Sequence, residues 1–202
     1  MPHSTAKPPS VATVPDQAAT KPCHRSNPFT SLEERKWLHD RSEGDVHKLI
    51  VDTYRLRMAD QHRSNDKISK ANIHRGAEQA ATINDFHSFI ATSLGLDHDR
   101  KEAKQIFPSW WTAMVQHRCY KFAEADEFSN ICKPVTREEI QEHYKDELMP
   151  MQMRVFSEQI DGYNSGYLPA QGFARLQSSK EKGYDDYGIS IERWEQMNFN
   201  FI

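Results

Sequence analysis

The sequence predicts an all-α fold, an irregular orthogonal bundle of about five or six helices, on three observations. Apolar residues recur at helical spacing in several separate segments. Residues that start and stop helices bracket those segments. No segment shows the sustained two-residue alternation of a half-buried strand. The bulk composition fits one domain with tails: 202 residues, 37% hydrophobic, 27% charged and 10% aromatic, with a mean hydropathy of −0.82. So polar a chain with ample aromatics implies a compact middle between segments that do not pack.

Residues 1–26 carry Pro2, Pro8, Pro9, Pro15 and Pro22 among small polar residues, which predicts a disordered leader. A helical domain is expected over 27–162. Ser31-Leu32-Glu33-Glu34 has the form of a capping box opening a short helix with Trp37 and Leu38. Ser42 with Asp45 repeats that signal, and Val46, Leu49, Ile50, Thr53 and Tyr54 place an amphipathic helix over about 43–62. Residues 63–76 read as a loop. Ile83, Phe86, Phe89, Ile90 and Leu94 mark a third helix with Gly95 as its C-cap, and a short polar helix is expected over 97–105.

Pro108 is placed in the first turn of a helix bearing Trp110, Trp111, Met114, Val115, Cys119 and Phe122. Thr136-Arg137-Glu138-Glu139 is another capping box, ahead of Ile140, His143 and Tyr144. Pro150 opens a helix through Met153, Phe156 and Ile160. Beyond Gly162, glycines and Pro169 punctuate a polar, loosely structured tail over 163–202, with a short helix near 190–197.

Charge and cysteine use narrow the function classes. The net charge of −3 and the interleaving of acids with bases over 33–75 argue against nucleic-acid binding. No apolar run approaches the ~20 residues that span a bilayer, so no membrane association is expected. The amino terminus has no apolar core of a secretory signal. Cys23, Cys119 and Cys132 are odd in number and irregular in spacing, which favours a reducing compartment, cytoplasmic or nuclear.

No complete catalytic or metal-binding constellation is legible, and no cofactor is expected. Ten histidines include no His-Glu-x-x-His pair, and Asp97-His98-Asp99 reads as a helix start. Gly162-Tyr163-Asn164-Ser165-Gly166 lacks the apolar strand that a nucleophile elbow requires. Cys119, on an apolar face, reads as a buried thiol.

Two features stand out. Trp110 and Trp111 are adjacent, so one helix cannot bury both along one line; with His143, Met151 and Met153 they form a candidate groove. His39, Asp40, Arg41, Asp52, Arg55 and Arg57 form a candidate ion-pair or anion site. Asp52 and Arg55 are spaced to pair on one helix, and a structural network is the default reading of the set.

These residues also carry a resemblance. Asn27-Pro28-Phe29-Thr30, Trp37-Leu38-His39-Asp40-Arg41, Asp45-Val46 and Tyr54-Arg55-Leu56-Arg57 form its first half. Phe107-Pro108-Ser109-Trp110-Trp111, Cys119, His143-Tyr144 and Leu148-Met149-Pro150-Met151-Gln152-Met153-Arg154 form its second. In this order, over about 27–161, the chain resembles the helical region that follows the finger in filamentous-fungal MYND-type zinc finger proteins. The finger itself is missing. Its place is taken by the proline-rich leader with Cys23 and His24, and the position four before Cys23, where the resemblance expects a histidine, is Ala19. Two ligands cannot close a tetrahedral site, so no structural zinc is expected.

The expected function is that of a non-catalytic protein-interaction or regulatory protein. Its partner would be a protein, met through the tail residues Tyr184, Tyr187, Trp194, Phe199 and Phe201. Aromatics so spaced either dock on a partner or fold back onto the domain. The alternative is a small-molecule-binding protein or accessory enzyme of a fungal specialised (secondary-metabolite) pathway. It would use the groove at the Trp pair, with His39 or His143 as acid–base groups.

Overall fold

The computed structural model describes residues 26–64, 68–94, 106–161 and 170–183. Residues 1–25 of the leader, the expected C-cap Gly95, the segment 97–105 with Asp97-His98-Asp99, the Gly162–Gly166 run, the 190–197 helix and all five tail aromatics lie outside them. Among the described residues there are seven α-helices, one 3₁₀ turn and no strand. The helices are α1 (Pro28–Glu33), α2 (Glu43–Ser64), α3 (Gln79–Ser93), α4 (Ala113–Ala125), α5 (Arg137–Tyr144), α6 (Met149–Asp161) and α7 (Ala170–Glu181). The all-α class is as the apolar spacing predicted. No described helix is long and apolar enough to cross a membrane.

Helix α2 runs through the centre, against α6, α4 and the 3₁₀ turn, while α6 also meets α1, α3, α5 and α7. Trp37, Tyr54, Phe29, Phe86 and Phe156 are the bulkiest fully buried side chains. Tyr54 of α2 packs edge-on to Phe86 and Phe89 of α3, with centroids 5.3 and 5.6 Å away. Its hydroxyl donates to Asp85 at 2.8 Å, so the buried phenol is satisfied. Asp60 of α2 takes a bidentate pair of bonds from Arg154 of α6, both 2.7 Å. Helix α2 runs on to Ser64, into the segment expected as a loop, and residues 68–78 hold the 3₁₀ turn Ile73–Arg75. There the buried Asn72 donates to the Met58 carbonyl at 2.8 Å and accepts from His74 N–H at 2.9 Å.

Three helix starts follow their local signals. Ser42 Oγ accepts from Asp45 N–H at 3.1 Å. Thr136 and Glu139 make the full reciprocal capping box of α5. Pro150 sits in the first turn of α6.

Two starts differ from the sequence reading. Helix α1 begins at Pro28 and ends at Glu33, so Ser31 lies inside it and donates to the Asn27 carbonyl at 3.0 Å. Trp37 and Leu38 fall in turns bounded by Arg35 and Asp40, both left-handed (φ 58° and 57°). Helix α4 begins at Ala113, not Pro108, because the Thr112 hydroxyl supplies the cap, accepting from Val115 N–H at 3.4 Å. Pro108 to Trp111 form a turn closed by Trp111 N–H on the Pro108 carbonyl at 2.9 Å.

The largest departure is α7, which occupies 170–181 of the supposed loose tail. It buries Phe173, Ala174 and Leu176 and packs on α1 and α6. The Phe173 ring meets Phe29 edge-on at 5.6 Å. Its ends are tied by distant carboxylates. Glu158 of α6 accepts from Ala170 and Gln171 N–H at 3.0 and 3.3 Å, capping α7. Glu181 of α7 accepts from Phe29 and Thr30 N–H at 3.0 and 2.7 Å, capping α1. Each carboxylate meets the positive end of a helix dipole.

A loose tail and a docked helix predict different costs on mutation. Phe173→Ala is expected to destabilise the domain by about 3 kcal/mol and Glu181→Gln by about 1 kcal/mol, measured by urea unfolding. Wild-type midpoints in both variants would show that α7 does not contribute to the fold.

Candidate functional site

The buried charge on α2 is built from a simple spacing. Asp52 and Arg55 are three apart on one helix and their side chains meet, Arg55 Nη1 to Asp52 Oδ1 at 2.6 Å, both essentially without solvent exposure. The pairing that the spacing allows is formed. The second Asp52 oxygen accepts from the Ser129 and Tyr144 hydroxyls, each at 2.8 Å. Arg55 also donates to the Lys133 and Pro134 carbonyls at 2.9 and 3.2 Å, and its guanidinium lies 5.3 Å from the Phe128 ring centroid.

Burial pushes the Asp52 carboxyl above its ordinary range, while Arg55, Tyr144 and Ser129 pull it back. Both carboxylate oxygens and all three guanidinium nitrogens are met from inside the protein. The arrangement is suited to holding α2 against α5 and the α4–α5 connection, and it presents no open side to a dissolved substrate.

His143 joins this cluster from outside, its ring stacked on Phe128 at 3.7 Å with 3° between planes. Burial lowers its affinity for a proton, with Asp52 opposing. The other members of the charged set lie apart. His39, Asp40 and Arg41 belong to the turn before α2, where Arg41 donates to the Trp37 carbonyl at 2.7 Å and lies over the Trp37 ring. Arg57 lies over Phe89 of α3, 5.7 Å from its centroid.

The Trp pair has different surroundings. Trp111 stacks on Phe107 (4.5 Å, 24°) and meets the edge of His47 at 6.0 Å; Trp110, 6.4 Å from Trp111, is partly exposed. His143 has Phe128 and Tyr144 as ring neighbours, so it shares none with Trp111. Met153 is fully buried, and Met151 is half-buried against the core.

Sequence reasoning did not single out Ser129 or Phe128 for the Asp52 centre. Both sit in a turn after α4, where Asp126 accepts from their backbone N–H groups at 2.6 and 2.9 Å. His47, which the sequence did not single out, is buried where α2 meets α4. Among the described residues no group of three or more His, Cys, Asp or Glu is placed to hold a metal ion. Cys119 is buried, as its apolar face indicated, and burial pushes its thiol well above the ordinary range.

Breaking the Asp52 centre from one side strands a buried charge. Asp52→Ala is expected to cost about 3–5 kcal/mol and Tyr144→Phe about 1–2 kcal/mol, read from denaturant midpoints. In a double-mutant cycle, Asp52→Leu with Arg55→Met should cost less than the sum of the singles. Strict additivity would mean that the two side chains are not energetically coupled. No protein-family model matches the chain, nor does any curated protein or solved structure.

Proposed function

We propose that this chain is a non-catalytic protein-interaction or regulatory protein. The observation that carries the reading is the pair Trp110 and Met114, large apolar side chains 36% and 67% exposed, four residues apart where the chain turns into α4. Trp and Met are enriched at recognition surfaces, where a rigid aromatic and an adaptable thioether serve as anchors. One turn further along α4, Arg118 reaches Glu43 with bonds of 2.6 and 2.8 Å, a charged border to the apolar pair.

The resemblance to the region following fungal MYND-type fingers lends this reading no mechanism, because the peptide-binding finger is the part this chain lacks. The odd number and irregular spacing of the cysteines and the interleaved charges support the cytoplasm or nucleus as its place, with no nucleic-acid partner. The tail aromatics from Tyr184 onward would extend the contact.

The test is a surface variant, Trp110→Ser with Met114→Lys. It should change unfolding stability by no more than about 0.5 kcal/mol. It should also weaken binding of a protein captured from the native host, remeasured pure, by at least ~10-fold. Unchanged affinity would remove the Trp110–Met114 surface from the reading. A co-purifying metabolite displaced by the same variant would replace it with the small-molecule alternative.

A further inference from the structure

The contact between α2 and α4 holds an imidazole where an apolar side chain would pack as well. His47 is 4% exposed. Its ring stands edge-on to Trp111 at 6.0 Å and beside Phe122 at 5.8 Å. Among the described residues its buried Nε2 has no hydrogen-bond partner. An unpartnered nitrogen in such a place is tolerable only while the ring is neutral.

The charged groups facing this ring come from both helices. Glu43, one turn earlier on α2, brings Oε1 to 3.8 Å from Nε2, but both of its oxygens already accept from Arg118 of α4. Arg118 itself opposes a second cation. Cys119 of α4 is a buried thiol held protonated. Trp111 and Phe122 carry no charge.

We propose that His47 is a pH-sensitive latch, in which proton uptake at Nε2 loosens α4 and the Phe107–Trp111 turn from α2. A charged ring at this position has two ways to be satisfied. It can take Glu43 from Arg118, which undoes the ion pair joining the helices, or it can reach water, which requires α4 to move. Either route weakens the same contact and uncovers Trp111.

The sign follows from the burial. Burial is the main cause lowering the His47 proton affinity; Glu43 opposes it and Arg118 adds to it. The packed state therefore binds protons less well than the opened one. The α2–α4 contact is fully present above the ordinary histidine value of 6.5 and is lost as pH falls through and below it. His87 of α3 also touches α4, its ring 3.8 Å from that of Tyr120, and burial lowers its affinity in the same direction. His74 and His143 shift likewise, so a global melt does not isolate the latch and a local readout is needed.

Amide hydrogen exchange of the full chain at pH 7.5 and 5.5, corrected for intrinsic rates, supplies it. Protection of 113–125 should fall at the lower pH, by up to ~10-fold, the limit for an imidazole that takes up a proton in the opened state and not in the packed one. Protection of α6 should hold. In His47→Gln and His47→Phe the response should shrink below ~2-fold, while in His87→Gln it should persist. A response that survives both His47 variants, or disappears with His87→Gln, overturns the proposal. NMR titration of the wild-type imidazole is an independent reading: a midpoint below that of a free histidine supports the latch, and one at or above it overturns it.

Discussion

Leu49 through Leu56 of α2 are buried without a break. That is more than two helical turns, so every face of the helix is covered along this stretch. Yet the stretch contains Asp52 and Arg55, and a buried charge must be neutralised and hydrogen-bonded where it stands. The remaining partners come from residues 77 to 92 positions further along the chain, Ser129 and Tyr144. The carbonyls of Lys133 and Pro134 complete the set. The α4–α5 connection and the end of α5 are thereby held to one position against α2. No purely apolar contact would specify that position so narrowly, because apolar surfaces slide at little cost compared with four directed bonds to charged groups.

The peripheral carboxylates serve differently. Glu33 accepts from the buried Ser178 and from Lys182, both at 2.6 Å; the ion pair with Lys182 is exposed, and such a pair contributes at most about 1 kcal/mol. Glu158 and Glu181 are more consequential because they meet backbone N–H groups that would otherwise be orphaned at helix starts. Acid side chains thus close the sequence α6 to α7 to α1 at its joints. Phe29, Phe173 and Leu176 supply the burial there. This accounts for a chain with 27% charged residues that still has a dense aromatic core.

Legibility in the sequence followed the range of the interaction. The start of α5 was readable because its cap, Thr136 with Glu139, spans three residues. The Asp52–Arg55 pair was readable for the same reason. Helix α7 was not, because its cap lies 12 residues earlier on Glu158, and Pro169 and Gly172 look like loop punctuation. The start of α1 was misplaced because its cap lies about 150 residues away on Glu181, leaving Ser31 as a misleading local signal. At α4, Pro108 and Thr112 both qualify as start residues. The Thr112 hydroxyl caps α4 from Ala113 on, while Pro108 to Trp111 form the turn before it. The partners of Asp52 were hidden because a serine in a turn carries no signal of what it faces.

Helices α4 and α6 are anchored to α2 in unequal ways. Helix α6 turns Met149, Met153, Val155, Phe156 and Ile160 inward, besides the bidentate pair from Arg154 to the nearly buried Asp60. Helix α4 turns in Val115, Cys119 and Ala123, side chains of roughly half that bulk. Transfer energy scales with apolar area, about 25 cal/mol per Å², so α4 gains less from burial. It relies more on the Glu43–Arg118 pair and on the bracket of Phe107, Trp111 and His47. A helix held by polar and aromatic contacts opens at lower free energy than one held by a filled apolar seam. The exposed Trp110 and Met114 therefore sit at the start of the helix that the core restrains less than α6, where a change of protonation or a partner's contact has the least packing to overcome.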